Sequence, residues 1–273
     1  MNNLILISPA YGINHRRADE AFHDKVGGGS AISDKSRPLS YREDWVRKLG
    51  TLLVKEFKTG NRFILVHGGG SFAHPMALAY GLNRYRDHDQ LIGVSLTSAV
   101  LNILSMKITL TLTLVGLPIY PLRTGSIYII KDGKPHLLIE PMHIIELIER
   151  GVVPMLYGDV VASDEDFSII SGDDIMLDLG SKLRPSASIF LTDVPGILDT
   201  NGDVIKQLTK ASIVNERSTY HIDVTGGLMK KIQSAMELAR YTRTYLCAIW
   251  DLESISRILH DEEPSKCTRF LSD

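Results

Sequence analysis

The sequence contains little cysteine: its two cysteines, Cys247 and Cys267, both lie near the C-terminal end of the 273 residues. They lack the close Cys and His spacing of a zinc site, and a domain of this size can bury a core without a disulfide framework. We therefore predict two free thiols in a reducing cytoplasm.

The sequence also lacks a large excess of charge of one sign, since 30 basic and 32 acidic residues give a formal net charge of −2 at pH 7. A charge this close to zero gives no electrostatic reason to expect nucleic acid or a membrane surface as a partner. We expect neither. An anionic substrate would have to be attracted by a local cluster of cations.

Long apolar runs without charge are absent as well. Residues 4–7 are apolar, but no basic segment precedes them and no small-residue cleavage site follows, so we reject a signal peptide. The stretch 94–120 carries Lys107 near its centre and a break at residues 116–118. A membrane span needs about 20 apolar residues with few or no charges. We predict a buried helix followed by a strand.

What is present is an alternation of short apolar runs with helical patterns, which is typical of βαβ units and a largely parallel sheet. A hairpin at 127–138, around Asp132-Gly133, interrupts the alternation. We predict one α/β unit with two functional lobes. The predicted strands are 62–66, 118–122, 152–157, 188–192 and 245–250, and the predicted helices are 40–58, 142–150, 174–183 and 228–241.

Glycine clusters occur at 25–30, 67–74 and 223–227. Glycines let the backbone approach an anion closely, and a helix that begins just after such a turn adds the positive end of its dipole. A Walker A loop is excluded, because Asp34 rather than glycine precedes Lys35. Residues 68–73 match the dinucleotide pattern G-x-G-x-x-A, but no apolar strand ends in an acidic residue at the required distance, so that interpretation is weak.

Lysines next to these turns favour phosphoryl transfer, which depends on positioning and on neutralising the transferred group. Lys25 and Lys35 flank the first cluster, and Lys231 follows the third on a predicted helix. His74 follows the second cluster and can donate a hydrogen bond to an anion held by the loop. Ser171 to Asp174 is a helix N-cap whose acids can hold lysines or Mg²⁺.

Taken together, the motifs resemble those of the amino acid kinase superfamily, in the same order along the chain. Within it, the HGGGSFAH loop with its second histidine most closely resembles the archaeal-type isopentenyl phosphate kinases. The resemblance covers about residues 25–241. The matching segments are Lys25-x-Gly-Gly, 67–74, 157–160, 170–174, 192–196 and 223–231.

This resemblance implies a three-layer α/β/α sandwich around an open, mainly parallel sheet. It implies an N-terminal lobe, 1–157, that binds a phosphate acceptor, a C-terminal lobe, 158–273, that binds ATP with Mg²⁺, and a cytoplasmic homodimer. If residues 4–7 form the first strand, the segment from there to Lys25 is an insertion relative to the family.

Residue roles follow from the resemblance position by position. Lys35 would stabilise the transferred phosphoryl group, His74 would hold the acceptor's phosphate, and Asp173 would organise the lysines. Lys25 would contact the ATP phosphates and take part in catalysis. The acceptor site would also use the backbone of Gly68, Gly69 and Gly158. The nucleotide side would use Gly27, Gly28, Gly29, Ser30, Gly70, Asp178, Gly227 and Lys231, and no protein metal ligand is assigned.

The leading hypothesis is therefore the ATP-dependent phosphorylation of isopentenyl phosphate to isopentenyl diphosphate. A kinase for another small phosphate or phosphonate, such as fosfomycin, is the alternative of the same class. A catalytically silent nucleotide-binding homologue and a nicotinamide-dependent oxidoreductase are the alternatives of other classes.

Overall fold

The computed structural model describes residues 4–9, 31–33, 37–82, 84, 87–164, 166–215 and 226–272. The strands are β1 Leu4–Pro9, β2 Arg62–His67, β3 Ile119–Pro121, β4 Tyr128–Lys131, β5 Lys134–Leu137, β6 Val153–Tyr157, β7 Asp159–Ala162, β8 Phe167–Ile170, β9 Ala187–Thr192, β10 Gln207–Leu208, β11 Arg243–Ala248 and β12 Thr268–Phe270. The helices are α1 Glu43–Lys58, α2 Gly70–Ala79, α3 Leu91–Leu114, α4 Thr124–Ile127, α5 Pro141–Glu149, α6 Gly172–Leu183, α7 Lys210–Asn215, α8 Gly226–Leu238 and α9 Leu252–Leu259, with a 3₁₀ turn at His88–Gln90.

A single eight-stranded sheet forms the centre of the fold, in the order β10-β12-β11-β9-β1-β2-β6-β3. Its pairs are parallel except for β11 with β12. The predicted fold class is thus confirmed, and the apolar tetrad at 4–7 is a central strand. The lobe division at 157 stays a prediction, since this one sheet contains strands from both sides of it.

Side chains of the central strands alternate between two helical layers, as the period of an extended chain requires. In β1, Ile5 and Ile7 pack on the side of α1, α3 and α9, whereas Leu4 and Leu6 pack on the side of α5, α6 and α8. Both faces of the sheet are therefore covered, which explains the nearly continuous apolar sequences of the strands.

The hairpin predicted around Asp132-Gly133 is confirmed as β4–β5, with positive φ at both turn residues. A second hairpin, β7–β8, was not predicted. The prediction of free thiols is wrong, because Cys247 in β11 and Cys267 just before β12 form a disulfide. The antiparallel pairing of these strands brings their Cα atoms to 4.6 Å, although the two residues are 20 positions apart.

Helix α3 and strand β3 confirm the helix and strand predicted for 94–120, but only one face of α3 is buried. Leu101, Leu104, Ile108 and Leu112 pack in the core, while seven large apolar side chains are exposed on the helix. Residues 88–114 also have the length and apolar composition of a membrane span, a test that the core helix of a soluble protein passes too. One of the seven is Leu91, at the first position of the helix; the other six share one side of it and are called the α3 face below: Ile92, Leu96, Ile103, Met106, Leu110 and Leu114.

Candidate active site

The glycine loop joins β2 directly to α2 at the carboxyl edge of the sheet. Gly70 has φ +49°, a left-handed conformation that glycine adopts without strain. The loop leads directly into the N-terminal end of a ten-residue helix, where the helix dipole favours an anion. The prediction of an anion-binding turn at 67–74 agrees with this geometry.

Three turns meet at this edge with no room for side chains between them. The N–H of Gly158 donates to the carbonyl of His67 over 2.9 Å. A Cβ atom on Gly158 would lie 3.0 Å from the backbone nitrogen of Gly172, and one on Gly172 would lie 3.2 Å from the carbonyl oxygen of His67. Glycine at 158 and 172 thus lets the end of β6 and the start of α6 close around the loop.

A cavity of about 200 Å³ opens between these turns. Its polar end is formed by the loop and the start of α6, and its wall toward α3 and β8 is mainly apolar. A pocket with one polar and one apolar end fits a small molecule of the same character. Its lining residues are Ser8, Gly68, Gly69, Ala73, His74, Ala77, Thr97, Leu101, Gly158, Asp159, Val160, Ile169, Ile170, Ser171, Gly172, Asp173 and Lys230.

Among the predicted acceptor residues, Gly68, Gly69, His74 and Gly158 all line this cavity. His74 lies on α2, one turn beyond Gly70, and lines the cavity together with the loop residues Gly68 and Gly69. The structure thus brings together the residues that the sequence assigned to the acceptor. Their roles stay predictions.

Asp173 pairs with Lys231 across the start of α6. Lys231 Nζ lies 2.6 Å from Asp173 Oδ1, and the lysine side chain is 1% exposed. The ammonium also lies 5.4 Å from the centre of the Phe190 ring. A buried lysine needs such a partner, because an unpaired charge in the interior is very costly. The contact is consistent with Asp173 organising a lysine, as predicted.

The neighbouring residues Asp174 and Lys230 form a second pair that the sequence analysis did not identify. Lys230 Nζ lies 2.8 Å from Asp174 Oδ2, and Lys230 lines the cavity. Asp174 also closes the N-terminal capping box of α6 with Ser171. The sequence signal was a second lysine next to Lys231, which by itself is typical of a solvated surface.

Asp159 is another cavity residue that sequence reasoning missed, although its motif was noted. Its carboxylate is buried and accepts the N–H groups of Val160 at 2.8 Å and Gly125 at 3.3 Å. Burial raises the pKa of the Asp159 carboxyl above its ordinary value, since the charged form loses hydration. The residue ties the start of β7 to α4 and so fixes the backbone next to Gly158.

His67, the first histidine of the loop, is buried and uncharged. Burial lowers its pKa to about 4. Its Nδ1 lies 3.0 Å from the carbonyl oxygen of Gly68, so this nitrogen carries the proton and donates. The ring stacks on Tyr157 at 5.1 Å, and the Tyr157 hydroxyl bonds Asn102 on α3 at 2.6 Å. His67 is thus a support for the loop, whereas His74 faces the cavity.

The remaining predicted residues fall into two groups. Asp178 accepts the Tyr128 hydroxyl at 2.8 Å and pairs with Lys182, and it does not line the cavity described above. Gly227 lies in the first turn of α8. Lys25, Gly27, Gly28, Gly29, Ser30 and Lys35 lie outside the described residues.

Two described residues on either side of position 35 contact the loop. Ser33 Oγ accepts the N–H of Ser71 at 3.0 Å, and the N–H of Leu39 donates to the carbonyl of Ser71 at 3.2 Å. The chain therefore returns to the glycine loop both before and after Lys35. Lys35 itself stays a predicted site residue.

In the described part of the chain, His, Cys, Asp and Glu side chains form no group of three that could hold a metal ion. Asp173 and Asp174 are each paired with a lysine. Mg²⁺ in kinases is held by one or two carboxylates and mainly by the phosphates of the nucleotide. Asp173, which lines the cavity, and the adjacent Asp174 are the carboxylates that would contact a magnesium ion carried by a nucleotide, where the ion would neutralise phosphate charge.

Comparison with known proteins agrees with this geometry. Residues 25–247 match the sequence profile of the amino acid kinase family. The chain is 31% identical to the isopentenyl phosphate kinase of Thermoplasma acidophilum over 77% of its own length and 84% of the relative. It is 32% identical to the isopentenyl phosphate kinase of Methanocaldococcus jannaschii over 75% of its own length and 83% of the relative. A solved product complex of the T. acidophilum enzyme superposes with a TM-score of 0.72 at 25% identity, over 97% of this chain and 99% of the other.

Proposed function

Because the chain belongs to the amino acid kinase family, on its isopentenyl phosphate kinase branch, we propose that it phosphorylates isopentenyl phosphate with ATP to give isopentenyl diphosphate. The observation that carries the proposal is the cavity with two different ends. The glycine loop and His74 supply donors for a phosphate, and Ala73, Ala77 and Leu101 supply an apolar wall for a short hydrocarbon.

In this proposal the two lobes divide the substrates. The N-terminal lobe, 1–157, binds the acceptor, and the C-terminal lobe, 158–273, binds ATP. Lys25 and the following glycines contact the ATP phosphates, and Lys35 stabilises the transferred phosphoryl group. The contacts of Ser33 and Leu39 with Ser71 support this role for Lys35, because they hold the adjoining chain against the loop.

The chemistry requires no general base. An oxygen of the acceptor's phosphate, already ionised, attacks the γ-phosphorus of ATP; a new P–O bond forms and ADP leaves with the electrons of the broken bond. Magnesium, when bound with ATP, neutralises charge on the phosphates. The protein's part is to align the two phosphates and to supply donors from the loop amides, His74 and the lysines.

A coupled assay of ADP release tests the proposal. Purified protein with ATP and Mg²⁺ should turn over isopentenyl phosphate with a kcat/KM of at least about 10⁴ M⁻¹s⁻¹, an ordinary value for an enzyme on its own substrate. Fosfomycin is the competing acceptor in the same assay. Turnover of fosfomycin alone would reject the substrate assignment, and ATP binding without any transfer would identify a silent homologue.

The proposal includes a homodimer formed through the α3 face. This face is a continuous stripe of six large apolar side chains on a helix of 24 residues. Monomeric proteins rarely expose apolar patches of this kind. A stripe along one helix can pack against its own copy across a two-fold axis, since both partners then present the same surface.

Charge in the α3 face should disrupt the dimer. We expect Ile103→Glu to sediment as a monomer at concentrations where the wild type is a dimer, because a carboxylate at the interface has no partner. Leu138→Glu is the matched control: Ile103 and Leu138 are 52% and 53% exposed, but Leu138 follows β5 and lies outside the α3 face. A monomeric wild type, or dissociation by both variants, would refute this interface.

We also infer a cytoplasmic location, where ATP is available to such a kinase. The Cys247–Cys267 disulfide is compatible with a reducing compartment, since both residues are buried. Thiol–disulfide exchange requires access of a thiolate to the sulfur atoms.

A further inference from the structure

Among the described residues, carboxylates outnumber the unpaired cations at the polar end of the cavity, and a phosphate would add further negative charge. Asp159 and Asp173 both line it, and Lys231 is already engaged by Asp173. A phosphate monoester adds about 1.5 to 2 negative charges at neutral pH. His74 and the backbone amides are donors, but a permanent cation next to the phosphate would offset its charge more strongly.

Lys230 is the one lysine or arginine among the described residues that line this cavity. Its side chain is half exposed and its ammonium contacts Asp174 Oδ2. An ion pair this exposed contributes little to stability, so little free energy opposes its separation. Lys230 is therefore free to exchange one anionic partner for another.

Asp174 keeps hydrogen-bond partners when Lys230 leaves it. Asp174 Oδ2 also accepts the N–H of Ser171 at 2.9 Å and the Ser171 hydroxyl at 2.6 Å. The carboxylate lies at the N-terminal end of α6, where the helix dipole favours negative charge. The resting partner of Lys230 thus stays stabilised after the lysine moves.

Lys231 cannot act in the same way, although it is the adjacent residue. Its ammonium is buried against Asp173, and separating that pair would leave a buried charge without a partner. Lys231, which the sequence assigns to the nucleotide side, thus stays paired with Asp173 at the acceptor cavity, and Lys230 is the movable cation there.

An unpaired hydroxyl in the same cavity also points to a ligand. Ser8 Oγ, at the end of β1, is buried and has no hydrogen-bond partner among the described residues. Buried polar groups are almost always hydrogen-bonded, so an unpaired one in a cavity wall indicates a group that a ligand supplies. A phosphate oxygen is an acceptor that this hydroxyl can satisfy.

We propose that Lys230 is a further binding residue for the acceptor's phosphate, held by Asp174 in the empty site and transferred to the phosphate when the acceptor binds. The proposal rests on the proposed function for the identity of the acceptor. The claim that Lys230 binds a phosphate does not depend on that identity, because it is argued from the residues of the cavity.

Kinetics of Lys230→Met test this role. We expect the acceptor KM to rise about 5- to 20-fold, the effect of a charged hydrogen bond at a half-exposed position, with the KM for ATP unchanged within a factor of about two. Lys230→Arg should restore most of the acceptor affinity. Lys182→Met is the matched control, because Lys182 is also paired with an aspartate on a helix but lies away from the cavity.

An acceptor KM unchanged in Lys230→Met would overturn the proposal, as would an equal change in Lys182→Met or a change confined to ATP. Calorimetric titration with inorganic phosphate tests the role of Lys230 even if isopentenyl phosphate is not the acceptor. If isopentenyl phosphate is not turned over, weaker phosphate binding by Lys230→Met than by Lys182→Met still supports the role of Lys230. Equal phosphate binding, or none by the wild type, refutes it.

Discussion

Replacing Asp173 with alanine is expected to lower kcat strongly and to destabilise the fold. The substitution leaves Lys231, 1% exposed, without its carboxylate partner. Removal of one member of a buried ion pair costs about 3 to 5 kcal/mol. We therefore expect the free energy of unfolding, measured with urea, to fall by about 3 kcal/mol, and kcat to fall by at least about 100-fold.

A double variant separates the two effects. In Asp173→Ala with Lys231→Met, both charges are gone and the methionine fills the space of the lysine stem. Replacing a buried pair with apolar groups is often neutral or stabilising, so stability should return close to the wild-type value while kcat stays at least about 100-fold lower. Recovery of activity in the double variant would mean that the pair serves only the fold.

Replacing His74 with alanine is expected to give the second-largest effect, a fall in kcat/KM for the phosphorylated acceptor. His74 is the side chain that the sequence assigns to the acceptor's phosphate, and it lines the cavity beside the glycine loop. Hydrogen bonds to charged groups contribute about 1.5 to 3 kcal/mol, which corresponds to about 10- to 150-fold. Steady-state kinetics should place most of this loss in the acceptor KM.

Two comparisons make the His74 result specific. His74→Asn retains a hydrogen-bond donor and should keep more of the acceptor affinity than alanine. His88→Ala removes an exposed histidine outside the cavity and should leave the kinetics unchanged. Equal kinetics for His74→Ala and the wild type would remove His74 from the acceptor site.

The pattern of apolar and turn residues in the sequence predicted the central strands and the hairpin of the fold. Residues 188–192 read as a strand because five β-favouring or small residues precede an Asp and a Pro-Gly turn, and the structure has β9 there. The hairpin at Asp132-Gly133 followed from turn chemistry in the same way. These features depend on neighbouring residues in the sequence and so can be predicted without the tertiary structure.

Contacts between distant residues could not be predicted by the same reasoning. Lys230 and Asp174 are 56 positions apart, and Gly125 and Asp159 are 34 apart. Each pair meets because the sheet order brings the start of one element next to another. Hydrophobic periodicity reports which residues are buried, but not which strands are neighbours.

The sequence by itself determined the chemical groups of the site: a glycine loop predicted to bind an anion, a second histidine and an ordered set of lysine and aspartate motifs. The tertiary structure decided which of these groups share one cavity, that Lys231 is buried while Lys230 is exposed, and that the two cysteines are paired. The physical reason is that chemical identity and local conformation reside in short segments, whereas proximity and burial arise only when the parallel sheet assembles those segments at its carboxyl edge.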